Sequence, residues 1–296
     1  MSNIMKKSND ISIYKKQFLP IEAVRTIING DGHIITVISD KNFHRHVMLL
    51  NEKGNLIKTI LDTEEDSVKL ARDKTHLYIA CSTHYHSKLY KFSLNNLSIE
   101  EVREYPFTDI GSISVNDNQI YFFDAKDGYI YELNKDLETN DKTDMNEYKK
   151  NSYGHSFNYI VATNNGFTSI GLPSSEEEFY KLKAFLYHEF GRTTSDSNDF
   201  IKSIAYDKKN NVGYLSFQNF IIVIDKKGIN GILNFKKQSI VSISYDDIDT
   251  DSLVICFAGQ KPFTGYIVAI NKETIDKIKI PIKNKDGKYQ LSSNKK

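Results

Sequence analysis

Residues 129–135 read YIYELNK, an apolar and aromatic run that ends at an Asn beside a Lys, and the same pattern occurs four more times in the chain. Val47 opens VMLLNEKG, Leu89 opens LYKFSLNN, Ile221 opens IIVIDKK and Tyr266 opens YIVAINK. Asn or Asp at the end of such a run can cap a chain reversal with its own side chain, so each copy reads as a strand, a tight turn and the start of a return strand. The turn residues stand at 51, 95, 134, 225 and 271, spaced 44, 39, 91 and 46 apart. A step of 91 is two periods, which predicts a further copy with an obscured turn near residues 155–192.

A second repeated element lies upstream of the turns: SISVNDNQIYFF from Ser112, SIAYDKKNNVGYLSF from Ser203, SISYDDIDTDSLVICF from Ser242 and, more loosely, KLARDKTHLYIAC from Lys69. Each is a strand, a polar turn and a more apolar strand. Joined to the first element it makes a four-stranded antiparallel sheet whose first strand lines a channel and whose second lies mid-sheet. The fold expected is all-β, a six-bladed β-propeller of four-stranded blades at about 20–61, 62–106, 107–150, 151–196, 197–237 and 238–282. Residues 10–282 then form one domain, with 1–9 and 283–296 as mobile tails. DISIYKKQF from Asp10 alternates as a half-exposed strand and is expected beside the last blade, which already has an outer strand of its own in Ile275–Ile282.

The composition suits blades buried on both faces: 40% of residues are hydrophobic, with 18 Tyr, 17 Phe and no Trp. A net charge of +1 offers no basic field, so neither nucleic acid nor an anionic membrane is expected as a partner. Lys6 and Lys7 are followed by no apolar run, and no stretch has the length of a membrane span; a soluble, cytoplasmic monomer is expected. Cys81 and Cys256 fall in middle strands of non-adjacent blades, where they read as two buried thiols in a reducing compartment.

The repeats resemble the propeller superfold, in the manner of NHL-like and WD-repeat-like proteins, over about residues 20–282. They lack the Gly-His and Trp-Asp pairs of WD repeats and the paired glycines of kelch repeats. Six-bladed enzymes of the gluconolactonase type are similar in blade number and coordinate a divalent ion with Glu, Asn and Asp. Glu22 in PIEAVR can be set against their first glutamate, but the neighbouring glycines are missing, so no catalytic residue carries over.

Histidine supplies the most suggestive local pattern. Phe43-His44-Arg45-His46 and Thr83-His84-Tyr85-His86 fall in equivalent loops of consecutive blades. Alternate residues of an extended chain point the same way, so His44, His46, His84 and His86 could hold zinc or another divalent metal. Asp62-Thr63-Glu64-Glu65-Asp66 is expected on the same face, with Glu64 or Glu65 as the first additional ligand. Without a metal, Phe43, Arg45 and Tyr85 form a binding patch. His155 opens a channel strand and is the one candidate base, whereas His33 and His76 begin equivalent strands and read as structural. LPSSEEEFYKLKAFLYHEF, residues 172–190, departs from the repeat; a short helical turn or an extended loop over 174–180 leading into a strand would place Phe179 and Tyr180 on a binding loop. Asp247, Asp249 and Asp251 alternate in a turn but lack the Gly and distal Glu of a calcium loop. Residues 137–152 read as a long mobile connection.

No Ser-His-Asp spacing, phosphate-binding glycine loop or Cys-x-x-Cys pair occurs. Two functions fit the pattern. One is a non-enzymatic binding or scaffold propeller that presents a loop-lined face to a protein or peptide, needs no cofactor and leaves room for a small-molecule ligand. The other is a metal-dependent propeller lyase or hydrolase acting on a small molecule at the channel mouth.

Overall fold

The computed structural model describes residues 11–14, 26–28, 33–39, 42, 44–51, 55–65, 67–83, 85–106, 110–124, 126–145, 159–163, 166–170, 203–225, 228–235, 238–246, 248, 250–258 and 265–281. After β1 (Ile11–Tyr14) comes a meander of β2 (Thr26–Ile28), β3 (Ile34–Ser39), β4 (Arg45–Leu50) and β5 (Leu56–Thr63). A second meander contains β6 (Ser67–Arg72), β7 (His76–Ser82), β8 (Ser87–Ser93) and β9 (Ser98–Tyr105). The third has β10 (Ile110–Val115), β11 (Ile120–Asp124), β12 (Tyr129–Leu133) and β13 (Thr139–Asp144), and a hairpin of β14 (Tyr159–Thr163) and β15 (Gly166–Ile170) follows. Next are β16 (Ser203–Asp207), β17 (Val212–Ser216), β18 (Phe220–Asp225) and β19 (Gly228–Asn234), then β20 (Ile240–Asp246), β21 (Ser252–Ala258) and β22 (Gly265–Asn271). Helix α1 (Lys272–Ile278) and β23 (Ile280–Pro281) end the described chain.

Each meander is an antiparallel sheet in chain order, as a propeller blade requires. Among the described residues five blades stand where six were expected. Between 151 and 196 the described residues hold only the two-stranded β14–β15 sheet, in the interval where the strand-ending Asn or Asp of the repeat is obscured. The helical turn or extended loop expected over 174–180 lies outside the described residues.

The last blade differs from expectation in an instructive way. Residues 275–282 do not supply its outer strand, because Asn271 caps a helix instead of turning a hairpin: its Oδ1 accepts from the Thr274 amide at 2.9 Å. Glu273 and Lys277 then pair across one turn at 2.7 Å. The vacant outer position is taken by β1, which pairs with β22 from Ile11 opposite Ile270 to Tyr14 opposite Ile267. β23 crosses instead to β19 and becomes a fifth strand there.

The turns explain the sequence repeat. Asn134 Oδ1 accepts from the amides of Asp136 and Glu138 at 3.0 and 2.9 Å, and Asn51 Oδ1 accepts from the Asn55 amide at 2.9 Å. In the earlier turns Asp73, Asn116, Asp207 and Asp246 do the same, for example Asn116 Oδ1 to the Gln119 amide at 2.7 Å. Leu97 and Leu137 occupy equivalent turn positions with φ of 54° and 58°. A leucine is strained there by roughly 1 kcal/mol, and for Leu137 the strain is offset by complete burial of the side chain among the apolar residues of its unit.

The chain divides into two compact units, one drawn from Met1–Glu64 and Phe200–Lys288, the other from Glu65–Asp199 and Tyr289–Lys296. In the second unit the β6–β9 and β10–β13 sheets share a core that includes Tyr78, Ala80, Leu89, Ile113, Phe122 and Leu133. On the opposite face Tyr121, Phe123 and Ile130 pack with Ala162 of β14. In the first unit Leu253, Ile255 and Phe257 of β21 meet Tyr214, Val223 and Leu233, while Val254 and Cys256 meet Ile34 and Leu50. Alternate residues of one strand therefore serve two neighbouring blades.

A polar tie joins the first two blades of the second unit. Lys135, one residue past Asn134, donates to Asp73 Oδ2 and to the Asn116 carbonyl, both at 2.7 Å, and lies 5.1 Å from the centre of the Tyr78 ring. Asp73 also accepts from the Tyr78 hydroxyl at 3.1 Å and from the amides of Thr75 and His76. Burial alone would push the Asp73 carboxyl up, but these donors and the Lys135 charge outweigh it and hold the group at about 2, below its ordinary 3.8. A depressed carboxylate stabilises the fold above its unfolded value and loses that contribution as pH falls through the folded value. Asp73→Asn is expected to cost about 2 kcal/mol at neutral pH. The cost should shrink towards zero as pH falls from 3.8 to about 2, measured as the gap between thermal midpoints of variant and native chain across that range.

Candidate functional site

The β7–β8 turn is built around a threonine. Thr83 closes the turn by donating its amide to the His86 carbonyl at 2.9 Å, and its Oγ1 accepts from the amides of Tyr85 and His86 at 3.1 and 3.3 Å. The same hydroxyl lies 3.3 Å from His86 Nδ1. With its backbone tied in this way, Tyr85 stands out from the turn at 85% exposure, the most exposed of the large hydrophobic side chains described. At its foot His86 Nε2 lies 3.9 Å from Glu65 Oε1, and Lys88 bridges Glu65 at 3.9 Å and Glu104 at 3.4 Å. Glu104 stands opposite Lys88 in the β8–β9 register, so strand pairing itself brings these charges together.

In the other unit, His44 immediately precedes β4 and its Nε2 is 3.5 Å from Glu64 Oε1. His46 lies within β4 and not in the loop as expected; it faces Asp62 across the β4–β5 ladder, with Nδ1 and Oδ1 2.7 Å apart. Arg45, between them, is opposite Thr63. The two histidines do point the same way, as alternate residues of a strand must, and each reaches one carboxylate of the Asp62–Asp66 run. Among the described residues no three His, Cys, Asp or Glu side chains are placed together to hold a metal. Phe43, His84, His155, Phe179 and Tyr180 lie outside the described residues, as do Asp247 and Asp249. Asp251 accepts from the Tyr245 hydroxyl at 2.9 Å and pairs with Lys209 at 3.3 Å, which makes it part of a turn.

His76 is structural: its two nitrogens meet Thr75 Oγ1 at 2.9 Å and Glu100 Oε2 at 3.0 Å beside the Asp73 tie. The sequence reading missed Lys88 and Glu104 at the foot of Tyr85. A hairpin turned at 94–97 would by itself set Lys88 opposite Arg103; an irregularity between Lys91 and Phe92 shifts the register by one and brings Glu104 there instead, which the turn alone does not signal.

Chain comparison gives the fold a wider setting. The RRP9 WD40 repeats match with 9% sequence identity and a TM-score of 0.54, over 89% of this chain and 98% of theirs. The Cps50 (Swd1) β-propeller domain of Myceliophteria thermophila aligns at 9% identity and a TM-score of 0.48, covering 88% of this chain and 100% of that one. A chain of the mitotic checkpoint complex aligns at 10% and 0.47, over 88% and 80%. No protein-family model matches the sequence, and no curated protein matches it. The chain is an all-β propeller with WD40-like structural neighbours, and at these identities the likeness concerns the fold alone. No helix among the described residues is long and apolar enough to cross a membrane.

Cys81 in β7 and Cys256 in β21 are at 0% and 2% exposure and form no disulfide. Burial, with a smaller push from Glu65 and a smaller pull from Lys88, raises the Cys81 thiol far above its ordinary range. Neither thiol is expected to react with Ellman's reagent in the folded chain, and both should titrate once guanidinium unfolds it. Rapid labelling of the native protein would contradict this burial.

Proposed function

We propose that this chain is a non-enzymatic, protein-binding propeller, whose contact surface includes the β7–β8 turn and whose partner is a protein or peptide segment. The observation that carries the reading is Tyr85. A large aromatic held almost wholly in solvent has no role in the core, and its turn is fastened by Thr83 so that little conformational freedom remains to be lost on binding. Rigid, exposed tyrosines are the residue type most often found at the energetic centre of protein interfaces. Lys88, Glu65 and Glu104 at its foot supply a polar rim. Arg45, Phe43, Phe179 and Tyr180 are further contact candidates by their sequence positions. Two buried, unbridged thiols support residence in a reducing compartment such as the cytoplasm, and nothing in the charge balance recommends nucleic acid.

A photo-crosslinking residue at position 85 identifies the protein it touches, and calorimetry then measures that protein against the native chain and Tyr85→Ala. The variant should bind at least about thirtyfold more weakly, equivalent to about 2 kcal/mol, with unchanged circular dichroism. Undiminished affinity in Tyr85→Ala would remove the turn from the interface.

A further inference from the structure

The outer edges of the blades are not treated alike. β9 carries Glu100, Glu101, Arg103 and Glu104, and β13 carries Asp141, Lys142 and Asp144; charges along an edge discourage an added strand. β19 reads GINGILN, with no charged residue, and it is the edge on which β23 lies. Among the described residues the contact is short: Gly231 faces Pro281 and Ile232 faces Ile280, two of the seven residues of β19. Ile280 remains 46% exposed and Ile278 42%.

Gly231 makes the seat. A Cβ built there would come 2.7 Å from Lys279 Cδ and 2.9 Å from the Ile280 carbonyl oxygen, and nearer still to Lys279 Cγ. The aliphatic stem of Lys279 thus lies directly across the hollow left by the missing side chain, with its ammonium on Asp276 at 3.2 Å. Beside the hollow, Asn230 is the extra residue of a β-bulge; its Nδ2 donates to Asp225, while its buried Oδ1 has no hydrogen-bond partner. An edge with no charge, a glycine hollow, a spare buried acceptor and, among the described residues, further strand on either side of the short ladder has the features of a strand-accepting site.

We infer that the outer edge of β19 accepts an extended peptide of the form Lys-aliphatic-Pro from a partner protein, and that β23, with Lys279-Ile280-Pro281, is its internal occupant and is displaced when the peptide binds. The chain's own segment defines the chemistry: an unbranched cationic side chain to lie over Gly231, then an aliphatic residue paired with Ile232, then a proline that ends the ladder. Among the described residues displacement releases a two-residue pairing, and an incoming strand can extend along the rest of β19. This site is distinct from the Tyr85 turn and stands or falls separately from it.

The probe is a fluorescently labelled peptide KIKIPIK, the sequence of residues 277–283, followed by anisotropy against the full chain. Ile280→Asp should unseat β23 and raise peptide affinity at least about fivefold, because the occluded state no longer competes. Adding Gly231→Ala should lower it again by at least about fivefold, since the methyl group meets backbone oxygen as well as the Lys279 stem. A smaller change at either step, or equal binding of a scrambled peptide, overturns the inference. Were Ile280→Asp to unfold, hydrogen exchange on the unaltered chain answers the same question. Saturating peptide should speed exchange at 279–282 while β19 stays protected, and unchanged exchange at 279–282 overturns the inference.

Discussion

Everything in this fold follows from strands that are buried on both faces. Leu77 to Cys81 of β7 and Ile120 to Phe123 of β11 are at 0% or 1% exposure throughout, and Leu253 to Phe257 of β21 reach at most 2%. A strand apolar on one face can be covered by one layer; a strand apolar on both needs a sheet on each side. Stacking blade on blade supplies this, and the period of two sorts the side chains. Ile120 and Phe122 of β11 pack towards one neighbouring sheet, Tyr121 and Phe123 towards the other. β21 is likewise held from both sides within its own unit, Leu253, Ile255 and Phe257 towards one sheet and Val254 and Cys256 towards another.

The turns carry both the fold's polar fastenings and its surface. On the Asp73 side, Lys135 ties the turn of one blade to that of the next through a carboxylate that also receives two backbone amides and a tyrosine hydroxyl. On the Thr83 side the same kind of side-chain capping leaves an aromatic in solvent. One local chemistry, a short polar side chain closing the chain reversal, therefore underlies both a turn tied to its neighbouring blade and a turn that leaves Tyr85 exposed. The first is visible as a buried, paired ion, the second as exposed apolar area that burial in the molecule does not claim.

The edges complete the arrangement. An outer strand leaves a row of backbone donors and acceptors that a neighbour can use, and the described blades handle this in two ways. β9 and β13 are charged, whereas β22 and β19 receive β1 and β23. β1 covers its strand over four residues and β23 over two. Among the described residues the first pairing is twice as long as the second.

The repeat, the meander order of the first three blades, the turns at Asn51 and Asn134 and the buried thiols were legible in the sequence, because each rests on local chemistry: period-two hydrophobicity and Asn or Asp closing a reversal within four residues. Tertiary structure decided the rest. Ile275, Ile278 and Ile280 alternate loosely enough to read as a strand, yet Asn271 caps a helix and Ile275 is buried in the core while Ile278 is left exposed. The interval 151–196, where the turn signal is obscured, gave no local handle, and the described residues there form a hairpin where a four-stranded blade was expected. His44, His46 and His86 were visible as candidates, but their pairing to Glu64, Asp62 and Glu65 depends on strand register and chain crossings that bring together residues 16 to 21 positions apart. Local sequence specifies how a strand turns; which side chains meet across a sheet is set only when every blade has found its neighbours.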